Sequence, residues 1–316
     1  MKYTNQVTTF NRLFSRQGSR TFILKSIVGL FATLLISACT DEAGNDAATQ
    51  GIEGTGNGTF PTWNICKSRN EPKIQKWQYR SDTLILRQSM CTSFEAPFLY
   101  FLMGKDAAFL FDSGTGHVDV SPDLFATVKA LKGKRKLYVV SSHRHGDHTG
   151  SDWIFKDKQS EGIELIGGAW SGSDRSIDLG GRVLKILSIP GHEAHSIAAY
   201  DTKEKLLLTG DTLYSGHLFV DNWADMQKSF KKLSDFVSAN PVTWLLGGHI
   251  EVTKSKQFIR YGSPTRTDEV QLQLPAQFAK DVFAASVKIG SEFSPFVNSK
   301  DAPYRFNLCR FSGKCE

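Results

Sequence analysis

The sequence is short of several things. No apolar run reaches the roughly 20 residues that span a bilayer; the N-terminal one, Ser26–Ala38, has 13. Acidic residues are absent from the first 38 positions, which carry Lys2, Arg12, Arg16, Arg20 and Lys25. Those cations supply +5 of the net charge of +6, leaving +1 (6 minus 5) for the rest. A surface that tracks phosphates needs a far larger excess, so nucleic acid is excluded as a partner. No internal repeat recurs at a fixed period. Residues 40–59 hold a single large aliphatic side chain, Ile52. Cysteine is scarce, 5 in 316 residues, and none stands among the histidines, which sets thiolate metal ligation aside.

What is present begins with an export signal. A basic, acid-free stretch leads into the 13-residue apolar run, the layout of a secretory signal peptide. It ends in Leu35-Ile36-Ser37-Ala38-Cys39, which resembles the lipobox of bacterial lipoproteins. The resemblance implies a signal peptide over 1–38 and lipidation of Cys39; the alternative is an uncleaved membrane anchor. Thr40 follows the cysteine where Asp would favour inner-membrane retention, so the expected location is periplasm-facing at the outer membrane, with the lipid as the membrane contact. Residues 39–62, rich in Gly, Thr, Asn and Asp, are expected to be a flexible tether, and 63–316 a catalytic domain. In an exported chain the four remaining cysteines, Cys66, Cys91, Cys309 and Cys315, suggest two disulfides. Three pairings are possible; proximity favours Cys66–Cys91 with Cys309–Cys315.

From about residue 80, short β-rich runs alternate with amphipathic stretches. Strands are expected at 83–87, 98–103, 107–111, 137–141, 164–166, 183–189, 197–200, 206–209 and 242–246. The runs Ala108-Phe-Leu-Phe and Leu206-Leu-Leu are continuously apolar, as in strands covered on both faces. Ser121-Pro122-Asp123 predicts a capped helix to about Lys132, stopped by Gly133. Trp223, Met226, Phe230, Leu233 and Val237 mark one helix face, and residues 268–289 suggest another helix. Strands in blocks interleaved with helices imply an α/β domain of two packed sheets inside helical layers.

The chemistry concentrates in His143-Arg144-His145-Gly146-Asp147-His148-Thr149-Gly150. Three imidazoles and a carboxylate in six positions, at the end of a strand, can converge on a metal ion. His192 follows Pro190-Gly191, Asp211 follows Gly210, His249 follows Gly247-Gly248, and Asp112 follows Phe111. Each stands just past a predicted strand, where loops carry function. Two cations a few ångströms apart share a water and lower its pKa towards 7, and Asp147 is placed to orient it and pass a proton on.

H-x-H-x-D-H, then P-G-H, G-D and G-H in that order, resembles the metallo-β-lactamase superfamily over residues 83–250. The resemblance implies a four-layer αββα sandwich with two divalent metal ions, zinc first, with iron or manganese as alternatives. It assigns His143, His145 and His192 to one metal and Asp147, His148 and His249 to the other. Asp211 bridges the two, and Asp112 and His195 support the ligands from behind. It also makes Tyr214 a hydroxyl donor to a developing oxyanion. His117 and His217 read as surface or pocket-rim residues.

An Asp at 211 resembles the glyoxalase II, lactonase and phosphodiesterase branches more than the antibiotic-degrading one. The expected function is hydrolysis of a small ester, lactone or thioester outside the cytoplasm, on a small-molecule substrate. The alternatives are β-lactam or phosphodiester hydrolysis, or an iron-dependent sulfur dioxygenase. Residues 251–316 match no branch; Lys254, Lys256, Arg260 and Arg266 offer themselves there as anion contacts.

Overall fold

A computed structural model describes residues 49–63, 66, 70–170, 172–263, 266, 268–311 and 315. The expected signal peptide, lipidation at Cys39 and the first part of the tether lie outside the described residues. Among the described residues no helix is long and apolar enough to cross a membrane.

The first sheet has seven strands in sequence order: β1 (Ile52–Glu53), β2 (Ile74–Arg80), β3 (Thr83–Gln88), β4 (Phe98–Met103), β5 (Ala107–Phe111), β6 (Lys136–Val140) and β7 (Ile163–Gly167). β2 to β5 pair antiparallel, and β5, β6 and β7 run parallel. Between β5 and β6 lies helix α1 (Ser121–Lys132). Two short helices, α2 (Gly146–Thr149) and α3 (Asp152–Phe155), separate β6 from β7.

The second sheet is built from β8 (Arg175–Asp178), β9 (Val183–Ser188), β10 (Ile197–Asp201), β11 (Leu206–Gly210) and, beyond β12 (His217–Val220) and helix α4 (Trp223–Ala239), β13 (Trp244–Gly247). Its order is β13-β11-β10-β9-β8, with β11 and β13 parallel. Helix α5 (Gln277–Ile289) and the short strands β14 (Phe296–Val297) and β15 (Asn307–Arg310) complete the chain; β12, β15 and β14 form a third small sheet.

Side-chain alternation along the strands makes three apolar layers. On β3, β4 and β5, Ile85, Tyr100, Phe109 and Phe111 face the second sheet, while Leu86, Phe101 and Leu110 pack under α1 with Leu124 and Val128. On the second sheet Ile186, Ala199 and Leu208 point inward, and Tyr200 and Leu207 pack outward against Met226 and Phe230 of α4 and Phe278 of α5. The layers are therefore helix, sheet, sheet, helix, as expected. The continuously apolar runs are buried on both faces, and the stripe on α4 is its buried face.

Three readings need correction. Ser121 does not cap α1: the helix begins after Val120 without a side-chain cap, and the Ser121 hydroxyl donates instead to His117 O at 3.1 Å. Residues 268–276 are not helical. The alternation of exposed Gln271, buried Leu272, part-buried Gln273 and buried Leu274 has period two, and Leu274 bridges to Leu245 before Pro275. The folded chain also starts by Ile52 rather than at Trp63. Residues 52–53 pair with Lys76 and Trp77 as a parallel edge strand, and the Trp77 indole donates to Thr59 O at 2.7 Å. Backbone pairing, with Ile52 packed on the outer core, orders a segment whose composition alone could not.

The end of the sandwich where β3, β5 and β9 begin is pinned by a buried ion pair. Arg182, 1% exposed, donates to Asp201 Oδ2 at 2.6 Å and Oδ1 at 3.1 Å, to Thr83 Oγ1 at 2.7 Å and to the carbonyls of Asp82 and Met103. It thereby ties β3 and β4 to β10. Removing one partner strands a buried charge, which costs about 3–5 kcal/mol. Asp201→Ala is expected to lower unfolding free energy by about that amount in denaturant titration; a loss below ~1 kcal/mol would mean the pair is no more than a surface bridge.

Candidate metal centre

Strand direction explains why the candidate ligands meet. β5 and β6 are parallel, so Asp112 and the His143–His148 loop emerge from one end of the first sheet. β9 and β11 are each antiparallel to β10, and β13 is parallel to β11. His192, Asp211 and His249 therefore leave the second sheet at their strands' C-terminal ends, facing the first loop.

Two groups form there. In the first, His143 Nε2, His145 Nδ1 and His192 Nε2 stand 2.9, 3.1 and 3.2 Å apart. The other nitrogens of two of these rings already have acceptors: His192 Nδ1 lies 3.0 Å from Phe219 O, and His143 Nδ1 lies 3.0 Å from Ser142 Oγ. The Ser142 hydroxyl itself donates to Asp112 Oδ2 at 3.0 Å, so its lone pair serves His143. These two rings thus turn lone pairs inward towards His145 Nδ1 and one another, an arrangement that a cation between them would satisfy. Zinc–nitrogen bonds of about 2.0–2.1 Å put tetrahedral ligand atoms roughly 3.3 Å apart, close to the spacing seen.

The second group comprises Asp147, His148, Asp211 and His249. Asp147 Oδ2 is 3.1 Å from His148 Nε2 and 3.2 Å from His249 Nε2. His148 Nδ1 donates to Asp112 Oδ2 at 2.9 Å, and His249 Nδ1 to Glu95 O at 2.9 Å. Such contacts behind a ligand fix its tautomer and aim. Asp211 stands between the groups: Oδ2 is 3.6 Å from His192 Nε2 and 3.9 Å from His143 Nε2, while Oδ1 is 3.4 Å from both His148 and His249 Nε2. Asp211 Oδ1 is buried without a hydrogen bond. An orphaned carboxylate oxygen aimed at two imidazole nitrogens fits a shared position between two cations. Gly248 is required here, since a Cβ would run into Asp211 Oδ1 and the His148 ring.

The electrostatics separate the groups. Burial pushes His143 well below the ordinary histidine range and His192 down to about 4, so both are neutral with free lone pairs. Burial opposes ionisation of Asp147 and Asp211 as well, yet the His148 and His249 rings hold both carboxyls far below their usual range. Reciprocally, burial works against protonation of His148 and His249, but the surrounding carboxylates drive both well above theirs.

A cavity of about 190 Å³ opens beside both groups, lined by His145, Asp147, His192, Asp211 and His249 together with Glu95, Tyr214, Phe219, Glu251, Tyr261 and Phe311. Asp112 stands behind the ligands as expected, at φ +69°, a conformation its short side chain tolerates. His195 does not: its Nδ1 pairs with Glu193 Oε1 at 2.9 Å, and among the described residues no hydrogen bond ties it to a candidate ligand. Tyr214 lines the cavity, but its hydroxyl donates to His217 O and lies 3.0 Å from Glu251 Oε2. Its single proton is committed away from the metals. His217 is buried, 6% exposed, rather than at the surface.

The cations offered for anion contact turn elsewhere. Lys254 pairs with Asp268, Lys256 donates to Ala302 O, and Arg266 donates to the carbonyls of Ile250 and Phe94; Arg260 is exposed and does not line the cavity. The two disulfides are Cys66–Cys91 and Cys309–Cys315. Sequence reading missed Glu95, Phe219, Glu251, Tyr261 and Phe311. Only Glu251, two positions after His249, lies near a motif; the parallel register of β12 with β15, which pairs Phe219 with Cys309, brings Phe311 over His145, His192 and Phe219 at ring separations of 5.3, 5.2 and 5.2 Å.

A profile of the metallo-β-lactamase superfamily matches residues 156–249. A hydroxyacylglutathione hydrolase of Bartonella quintana is 34% identical over 208 residues, spanning 60% of this chain and 80% of the relative. An acyl-coenzyme A thioesterase of Gallus gallus is 24% identical over 213 residues, 52% of this chain and 76% of the relative. The solved metallo-β-lactamase from Pontibacter korlensis superposes with a TM-score of 0.50 at 14% identity, covering 68% of this chain and 99% of that one; that likeness is one of fold. The chain belongs to the metallo-β-lactamase superfamily. Within it the chain is a metallo-hydrolase.

Two expectations follow from the geometry. Metal analysis of the purified protein should find about two divalent metal ions per chain, falling to about one in His145→Ala with circular dichroism unchanged; full occupancy in that variant would remove His145 from the ligands. Tyr214→Phe should lower kcat by less than about tenfold, because loss of a true oxyanion donor costs roughly 10²–10³-fold; a loss of that larger size would restore Tyr214 as the donor.

Proposed function

We propose that the chain is a dinuclear thioesterase of small acyl substrates that works outside the cytoplasm, with zinc as its metal. The observation that carries the metal chemistry is Asp211, whose two oxygens face one imidazole group each, with Oδ1 orphaned between them. Thioester as the substrate class is supported by the names of the relatives, a hydroxyacylglutathione hydrolase and an acyl-coenzyme A thioesterase. Export is supported by the lipobox-like segment ending at Cys39 and by two disulfides, which persist in oxidising compartments.

His143, His145 and His192 would hold one ion, Asp147, His148 and His249 the other, with Asp211 shared. When bound, the ions supply Lewis acidity, acidifying a water and polarising the substrate carbonyl. The chain's own residues do the remaining work. The Asp147 carboxylate lines the cavity, where it would orient the attacking water and carry a proton to the leaving sulfur. Asp112, Phe219 O and Glu95 O keep three rings in the ligating tautomer. Phe219 and Phe311 close the side of the cavity next to His145 and His192 and exclude bulk water there.

The test is product release from thioesters, lactones, simple esters, phosphodiesters and a cephalosporin, each with and without chelator. Thioester turnover should disappear with chelator and return with zinc. Zinc-loaded protein that releases no thiol from any thioester would overturn the proposal, and preferential turnover of another class would name the right one.

A further inference from the structure

Away from the metal groups, two deeply buried carboxylates are matched by arginine: Glu269 by Arg87 at 2.5 and 2.7 Å, and Asp201 by Arg182 at 2.6 Å. Glu95 and Glu251, which line the cavity beside the metal groups, are not. Glu95 accepts from the Tyr261 hydroxyl at 3.2 Å. Glu251, 4% exposed, lies 3.0 Å from the Tyr214 hydroxyl oxygen and accepts from the His217 N–H at 2.9 Å. Among the described residues neither is in an ion pair, and no Lys or Arg lines the cavity. Removing carboxylates from water is costly unless a positive charge compensates; against two divalent ions, the five carboxylates of Asp112, Asp147, Asp211, Glu95 and Glu251 leave one negative charge over (5 minus 4), so this wall favours the arrival of a further cation. Its remaining faces are the rings of Phe219, Tyr261 and Phe311, surfaces that attract an ammonium group through their electron-rich faces.

We infer that the cavity selects thioesters whose non-reacting part carries a positive charge, an ammonium or quaternary ammonium group seated between Glu95, Glu251 and the aromatic rings. This rests on the thioesterase reading and narrows it. Glutathione and coenzyme A thioesters carry carboxylates or phosphates, which the same wall repels. The cations that a glutathione-type ligand would need are engaged by Asp268 and by backbone carbonyls in the case of Lys254, Lys256 and Arg266. The relatives' name therefore carries over as chemistry and not as substrate.

Three acetyl thioesters with matched acyl groups separate the possibilities: acetylthiocholine, its neutral N-acetylcysteamine counterpart, and the thioester of 3-mercaptopropionate. With zinc-loaded protein, kcat/KM should favour the cationic substrate over the neutral one by about tenfold, equivalent to ~1.4 kcal/mol, with the anionic one slowest. The preference should shrink as salt is raised, as screening requires, and Glu95→Gln should cut the cationic-to-neutral ratio severalfold. Equal or better turnover of the anionic thioester overturns the inference. So does an equal loss on all three substrates in Glu95→Gln, which would make Glu95 a counter-charge for the metals.

Binding gives a readout free of turnover. In an NMR titration choline should bind about tenfold more tightly than its uncharged isostere 3,3-dimethylbutan-1-ol. Equal binding of the two overturns the inference even if every thioester is hydrolysed. Absence of any thioester turnover fails the thioesterase reading, and the titration then decides the charge preference by itself.

Discussion

Asp112 is the side chain on which the arrangement at the sheet ends depends. Its carboxylate, 1% exposed, accepts from the Ser142 N–H at 2.5 Å, from the Ser142 hydroxyl at 3.0 Å and from His148 Nδ1 at 2.9 Å. Through Ser142 it reaches His143 of one metal group, and directly it holds His148 of the other. An imidazole can turn a lone pair inward only if its second nitrogen keeps the proton, so one buried carboxylate sets the ligating tautomer in both groups. To reach all three donors the backbone at Asp112 takes a left-handed turn at φ +69°, a local cost of order 1 kcal/mol accepted where β5 hands over to the ligand loop. The strand pair β5 and β6 is thus joined at its end by side chains as well as by its ladder.

The same constraint binds the sandwich together. Each metal group draws on both sheets: His143, His145, Asp147 and His148 follow β6, whereas His192, Asp211 and His249 follow β9, β11 and β13. Cations held at these positions would therefore cross-link the sheets, and their binding energy would in part be folding energy. Among the described residues the opposite end of the sandwich has no such centre and uses Arg182 and Asp201 instead. One end is thereby held by a protein ion pair, and the other by two groups of side chains that divalent cations would draw together.

The layers and the residues that gather in the two groups were legible in the sequence because both are written in local order. Period-two and uninterrupted apolar runs gave the central strands, the α4 stripe gave its buried face, and each ligand followed a strand end. What was not legible depends on distant partners. The short strands β1, β8, β12, β14 and β15 are defined by pairing more than by composition, and Ile52 is placed by a sheet edge. Residues 268–276 misled because a helical continuation and a period-two extended run share the same few apolar residues, and only the Leu245–Leu274 bridge decides between them. His195 sits one turn from a true neighbour of the centre, yet a glutamate two residues away captures its ring.

The cavity wall was illegible for a further reason, which also bears on how such a site diversifies. Metal ligands are fixed by strand ends, but Glu95, Tyr261 and Phe311 come from segments outside the ligand strands that pack little core. Two of those segments are tethered by disulfides. Cys66–Cys91, closing a separation of 25 residues, anchors the loop that carries Glu95, and Cys309–Cys315 closes a ring of separation 6 around Phe311. Cross-links of this kind restrict the unfolded chain by ~2–4 kcal/mol and so order a loop that apolar burial cannot. A fold that fixes its metals with strands and its walls with cross-linked loops can change what it binds without disturbing what it does. That division accounts for a chain that keeps the metallo-hydrolase residues of its superfamily while presenting carboxylates to whatever enters.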